Sequence, residues 1–399
     1  MKTEVHPDTD FNRTHVFVAA CLGMFMFGVV MTMLGTILPS VMDRFDIDLS
    51  GAGSVIAQLS AGILTGSLVF GPVVDRYGYR PLLSLAMVLV IVGLEGIAFA
   101  SSVVLLRTAV FLIGFGGGMI NGATNALVAD ISEGERSAGL SLLGVSYGIG
   151  AFSIPFLFGL LVQGSTYVLP VAVVGAVAIV PLAYMLAIRV PQPKQAQGFP
   201  VRESMKLVRE ATLALFGLML FIQSGIEMTV GNWTTSFLAG ELGLDTSDAA
   251  FYLSSYLLGM MAARLIMGTA LKHVSPAHVL HACLGLGFVG AVLLILAHTI
   301  AVAVTGLVLL GAGLAAGFPV VLGYVGDYYT RLSGTAFSIV LVMALAGGSL
   351  FPLGIGTLGE VIGLRASFTV IPVSLAFMAI LFGVIMRRGT SVRSRVQPT

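Results

Sequence analysis

Runs of about twenty or more apolar residues, separated by short polar breaks, fill this chain and leave it little choice of solvent. Helices and closed barrels alone satisfy every backbone group inside a bilayer, and a helix of about 20 residues crosses its hydrocarbon. On that rule the chain divides into twelve segments, roughly 15–40, 51–75, 80–100, 103–130, 136–163, 167–189, 211–240, 248–272, 277–298, 300–329, 332–360 and 364–388. Of its 399 residues 57% are apolar and 10% charged, against about a quarter charged in soluble domains. The reading is an all-α membrane protein. A net charge of +1 with no basic patch gives no argument for a nucleic-acid partner. Cys21 and Cys283 fall inside apolar segments, as small packing residues rather than a disulfide or metal site. The polar first fifteen residues run straight into a long apolar segment without a cleavage signal, so the first helix is expected to remain.

The only long polar connection, 190–210, carries Pro191, Pro193, Lys194, Gly198, Pro200, Arg202, Lys206 and Arg209. It predicts an N-terminal bundle over 1–189, a linker over 190–210 and a C-terminal bundle over 211–399. Lys and Arg crowd the linker and the loops on its side, leaving Arg44, Arg107 and Arg365 on the other, which predicts both termini and the linker in the cytoplasm. Asp43, Asp46, Asp48, Glu241, Asp245 and Asp248 then fall in outer loops.

The halves repeat. Adding 197 takes Gly28 to Gly225, Gly62 to Gly259, Gly71 to Gly268, Gly93 to Gly290, Gly114 to Gly311, Asp130 to Asp327, Ser141 to Ser338 and Pro155 to Pro352. Two pseudo-symmetric six-helix bundles follow, related by an axis along the membrane normal, with a site expected at the midplane.

Glu227 is set near the middle of the seventh segment, where a carboxylate is costly. It can bind a cation, carry a proton or accept hydrogen bonds from a hydroxylated substrate; a structural bond to a neighbouring helix is the plain alternative. Gln223 lies one turn earlier on the same face, and Trp233 follows. Asn121 and Asn125, one turn apart on the fourth segment, offer paired donors and acceptors that suit a sugar. Interhelical bonding is their alternative role. Gln58, Tyr147, Tyr252, Ser255, Tyr256 and Tyr324 complete a candidate polar cavity, each with a packing alternative. Glu95, near the outer end of the third segment, is expected to snorkel.

Gly71, Asp75, Arg76, Gly78 and Arg80 form a charged turn between the second and third segments, where glycine permits close packing. Together with Asp130, Arg264 and Asp327 they predict a cytoplasmic gate. Arg264 is expected to pair with Asp327, and Asp75 to engage the amino-terminal dipole of the eleventh helix, which starts near Leu332. Anchoring at the interface is the alternative. The equivalent turn, Gly268–Pro276, has lost most of these charges, so the two gates need not be equally strong.

The spacing Gly71-x-x-x-Asp75-Arg76-x-Gly78-x-Arg80 resembles the loop signature of the major facilitator superfamily. Shorter matches resemble its branch containing fucose permease and sodium-dependent glucose transporters: Gly225-Ile-Glu227 with Gly231-Asn-Trp233, Ala263-Arg264-Leu265 with Gly268-Thr269, and the Gly114–Gly118 run ending in Asn121 and Asn125. The resemblance implies the major facilitator fold, alternating access and a small polar substrate, first of all a sugar. Where the permease places acids in its first and fourth helices this chain has Gly35 and Asn121, leaving Glu227 as the central carrier. Coupling to H+, coupling to Na+ and uncoupled movement stay open, and no cofactor is implied.

Drug/proton antiporters share the charged turn. They usually show a Gly-Pro pair then a glycine pair in the fifth helix, where this chain has Ile154-Pro155 and Phe158-Gly159, and an arginine where it has Val110. A receptor derived from a transporter is a further alternative. The histidines lack a convergent ligand spacing, so neither an enzyme nor a metal site is expected. The expectation is a monomeric secondary transporter of a small solute, first of all a sugar, in the plasma membrane, for a bacterium the inner membrane.

Overall fold

The computed structural model describes residues 11–47, 49–132, 134–161, 167–192, 206–244 and 246–396. Among them twelve helices are long and apolar enough to cross a membrane: Arg13–Leu38, Ser54–Tyr77, Tyr79–Ala98, Val103–Ile131, Arg136–Ile154, Val168–Ala187, Ala211–Leu242, Phe251–Ala270, Pro276–Ile295, Ile300–Tyr328, Thr330–Gly359 and Leu364–Arg387. They are called the first to twelfth spans below, and each helix lies within several residues of its expected segment, the one holding the fifth running Arg136–Leu161. Most of the expected linker, 193–205, lies outside the described residues, as do Asp48 and Asp245.

Capping side chains set several ends. Asn12 accepts from the Thr14 N–H at 2.9 Å, and Glu210 from the Leu213 N–H at 2.6 Å. Ser275, with Pro276 directly after it, opens the ninth span. These groups serve donors that have no partner within their own helix. Among the described residues three spans are interrupted, the sixth at Ala178, the tenth at Ala315 and Ala316 and the twelfth at Phe368 and Thr369. Proline explains all three places: Pro181 cannot donate to the carbonyl of Val177, Pro319 to that of Ala315, nor Pro372 to that of Phe368.

Two compact units make up the chain. The first takes in Met1–Ile131, Ser146–Pro200 and Arg331–Ser338, and the second Ser132–Val145, Val201–Thr330 and Ile339–Thr399. Each therefore contains one short segment from the other half of the sequence.

The repeat reappears as matched contacts inside the units. In the first, the Ser338 hydroxyl donates to the Ser67 carbonyl; in the second, the Ser141 hydroxyl donates to the Arg264 carbonyl at 2.7 Å. Both partners obey the offset, since 141 + 197 = 338 and 67 + 197 = 264. A Cβ on Gly62 would strike the Phe111 carbonyl, and one on Gly259 the Val308 carbonyl, again 197 residues on.

The three arginines expected opposite the charged turn are all tied down. Arg44 donates to the carbonyls of Ala98 and Ala100 at 3.1 and 2.9 Å and to the Tyr167 hydroxyl at 3.0 Å. Arg365 donates to those of Ile295 and Ala297 at 2.7 and 3.2 Å and pairs with Glu241 at 2.8 Å. Residues 295 and 297 are 98 and 100 plus 197, so a guanidinium serves the carbonyl end of both the third and the ninth span. Arg107 donates to the Ser54 hydroxyl at 2.7 Å.

Candidate functional site

The charged turn lies in the first unit. The helix holding the second span ends at Tyr77, Gly78 adopts φ 86°, and the third begins at Tyr79. That left-handed backbone favours glycine. Asp75 is 2% exposed. Its carboxylate accepts from the N–H of Gly334 at 3.3 Å, the N–H of Thr335 at 3.0 Å and the Thr335 hydroxyl at 2.8 Å. These donors open the helix Ser333–Ile362, which places a negative charge on its amino-terminal dipole. A Cβ on Gly71 would strike the Gly334 carbonyl and come within 2.8 Å of the Ser338 Cβ, so the second and eleventh spans meet there backbone to backbone.

Asp130 accepts from the Tyr79 hydroxyl and, at 3.1 Å, from the Ser333 hydroxyl. Arg76 and Arg80 are exposed. Arg76 stands 5.3 Å over the Tyr77 ring, and Arg80 donates to the Leu186 carbonyl at the end of the sixth span.

The second unit answers this turn with different chemistry. The counterpart of Asp75 is Lys272, since 75 + 197 = 272, and its ammonium lies 3.3 Å from the Glu135 carboxylate, both about half exposed. Beside them Arg136 forms an ion pair with Asp327. The expected pairing of Arg264 with Asp327 is therefore corrected. Arg264 lies eight residues before Lys272, about 12 Å deeper along the helix, while Arg136 is at hand. The Arg264 guanidinium donates instead to the Gly144 carbonyl at 3.3 Å and interacts electrostatically with Glu227 and Tyr256. Just past the tenth span, Tyr329 donates to Glu210, and burial together with that carboxylate pushes its phenol above the ordinary value.

Deeper in the first unit, the Asn125 amide donates to the Asn121 carbonyl at 2.8 Å and to the Asn121 side-chain oxygen at 3.1 Å. Gln58 is half-buried on the second span. Tyr147 packs against Phe27 with ring centroids 5.6 Å apart. Glu95, expected to snorkel, is half-buried with its carboxylate against Gly175 of the sixth span.

In the second unit Gln223 is fully buried. Its Nε2 donates to Glu227 Oε1 and to the Leu314 carbonyl, both at 2.7 Å. Its Oε1, the Tyr256 hydroxyl and the Arg264 Nε are buried with no hydrogen-bond partner among the described residues. Trp233 donates its indole N–H to the Pro352 carbonyl at 2.9 Å, so its polar atom is already engaged. Tyr324 packs on Phe216 with ring centroids 6.3 Å apart.

Sequence reasoning missed Tyr79, Ser333, Thr335, Glu135, Arg136 and Lys272 around the turns, and Leu314 beside Glu227. The offset could have found Lys272, because it maps Asp75 directly onto it.

A family model described as Major Facilitator Superfamily matches residues 20–237 and 215–399. The glucose/galactose transporter of Brucella abortus biovar 1 (strain 9-941) is 23% identical over 408 residues, covering 94% of this chain and 95% of its own. The sodium-dependent glucose transporter 1A of Mus musculus is 24% identical over 418 residues, covering 93% and 96%. The crystal structure of the transporter FucP in its outward conformation superposes with a TM-score of 0.81 at 16% identity, covering 92% of this chain and 98% of that one. With the family model matching nearly its whole length, this chain belongs to the major facilitator superfamily.

Proposed function

We propose that this protein is a cation-coupled secondary transporter of a small hydroxylated solute, a sugar, working by alternating access in the bacterial inner membrane with both termini cytoplasmic. The halves 1–189 and 211–399, joined by the linker 190–210, are its moving parts. One observation carries the substrate class: the polar groups deep in the spans are amides and a carboxylate already arranged in donor–acceptor ladders, Asn125 to Asn121 and Gln223 to Glu227. Such groups match vicinal hydroxyls, which both donate and accept. The names of the glucose/galactose and glucose transporters among the relatives support this reading.

Asn121, Asn125, Gln223 and Glu227 are assigned to substrate, with Gln58, Tyr256 and Trp233 around them, and Glu227 also to the coupling cation. The charged turn, Gly71 to Arg80, works with Asp130 and Asp327 as the cytoplasmic latch. Flux into proteoliposomes, screened over hexoses and cationic drugs with an imposed Na+ or H+ gradient, tests the assignment. Gradient-driven hexose uptake is expected. Drug movement without hexose movement would overturn it, and ligand binding without any flux would make the protein a receptor.

A further inference from the structure

The interruption of the tenth span has no counterpart in the other half. Its repeat partner, the helix Val103–Ile131, runs unbroken through the equivalent positions, and Gly122 stands where the tenth span has Pro319, since 122 + 197 = 319. The broken place is also where the buried polar groups of the second unit gather. Gln223 lies across it: Nε2 bonds the Leu314 carbonyl at the end of one helical piece, and Oε1 faces Gly317 at the start of the next. Two oxygens, Glu227 Oε1 and the Leu314 carbonyl, thus converge at 2.7 Å each on one amide nitrogen, while the amide oxygen is buried and unpartnered.

We propose that the interruption of the tenth span is a sodium site, formed by the Glu227 carboxylate, the Leu314 carbonyl and the Gln223 amide oxygen. The proposal rests on the cation-coupled reading above and gives it a place and an ion. In the structure the Gln223 NH2 group sits where the two oxygens converge. Rotating the amide by half a turn brings Oε1 to that side, and three oxygens then surround the space that a cation enters. Oxygen donors from a carboxylate and from the carbonyl end of a broken helix suit a hard cation inside a membrane protein.

Charge selects among such cations. The set carries one negative charge, and the eighth span brings the Arg264 guanidinium to interact with Glu227, beside Tyr256. A divalent ion would leave excess positive charge in a buried place, which is costly. A monovalent ion can replace Arg264 as the counterion of Glu227. Among the described residues the Arg264 guanidinium is held by a single long hydrogen bond, to Gly144 at 3.3 Å, and its Nε has no partner there, so little opposes its displacement. A proton would need the carboxylate alone and would make no use of the Leu314 carbonyl.

Binding of 22Na+ to the purified full-length protein, measured without sugar, tests the site independently of transport. Saturable binding is expected in the wild type, lost in Glu227→Gln and Gln223→Leu and kept in Gln223→Glu, which restores an oxygen. Gly317→Ala, placing a methyl against the Gln223 amide, should weaken binding by about 10- to 100-fold. Arg264→Gln, which removes the competing charge, should tighten it. Absence of saturable binding in the wild type overturns the site, as does wild-type affinity in monodisperse Glu227→Gln and Gln223→Leu. Unchanged affinity in Arg264→Gln removes the counterion exchange. Proton-driven sugar uptake with no sodium binding would remove this site and leave the transport reading, whereas sodium binding without flux would do the reverse.

Discussion

Thr335 gives Asp75 both its backbone N–H and its hydroxyl, at 3.0 and 2.8 Å, in a place where the carboxylate is almost wholly shut off from solvent. Hydrogen bonds to a charged group contribute about 1.5–3 kcal/mol, and a buried charge that loses its donors costs more. Thr335→Val is predicted to lower stability by about 1–3 kcal/mol while leaving both backbone donors in place. A thermal melt in detergent equal to wild type would show that the hydroxyl contributes nothing.

The ion pairs of the second unit should behave differently. Lys272–Glu135 and Asp327, the partner of Arg136, are about half exposed, and such pairs contribute roughly 0–1 kcal/mol and weaken with salt. Lys272→Ala is therefore predicted to cost less than Thr335→Val, with a difference from wild type that vanishes at high salt. Melts at low and high ionic strength compare the two; a salt-independent loss in Lys272→Ala would contradict it.

Glu227→Gln keeps the shape of the Gln223 ladder and removes its charge. Concentrative sugar uptake should be abolished and sugar exchange across the membrane retained. Accumulation at the wild-type level in proteoliposomes would exclude Glu227 as the carrier of the coupling ion.

Asn121→Ala and Trp233→Phe separate ligand contact from packing. Loss of one hydrogen bond to a sugar hydroxyl corresponds to an increase in KM of about 10-fold, expected for Asn121→Ala. Trp233→Phe keeps an aromatic ring and loses only the bond to Pro352, so it should cost about 1 kcal/mol of stability and move KM less than Asn121→Ala does. Equal KM effects in the two variants would defeat the distinction.

Arg44→Lys tests the carbonyl clamp opposite the charged turn. The guanidinium reaches Ala98 and Ala100 together, a spread that one ammonium does not reproduce, so lysine is not a conservative replacement. The melt should fall with no change in sugar affinity, and a lysine variant as stable as wild type would argue against the clamp.

The spans were legible in the sequence because hydrocarbon imposes a minimum apolar length on every helix, and the repeat because glycine, proline and serine at helix contacts tolerate few replacements. Asp75 was legible for a similar reason: a carboxylate so near a helix end needs donors, and the start of the eleventh span supplies them. Arg264 was not. Its position along the eighth span was clear, but the direction of its guanidinium depends on Gly144 and Glu227, which belong to other helices. The break at Ala315 was hidden too, because Pro319 reads as one proline among apolar residues until Gln223 is placed beside it. Opposite charges at Asp75 and Lys272 were concealed by the decay of the turn around them.

Trp233 has a consequence of an optical kind. It is the single tryptophan of the chain, six residues beyond Glu227, and its indole is bonded to Pro352 in the eleventh span. Its emission therefore reports, without any label, whether the seventh and eleventh spans hold together. A motion that parts them breaks that bond and changes the polarity around one fluorophore, so the integrity of the second unit can be followed by its native colour.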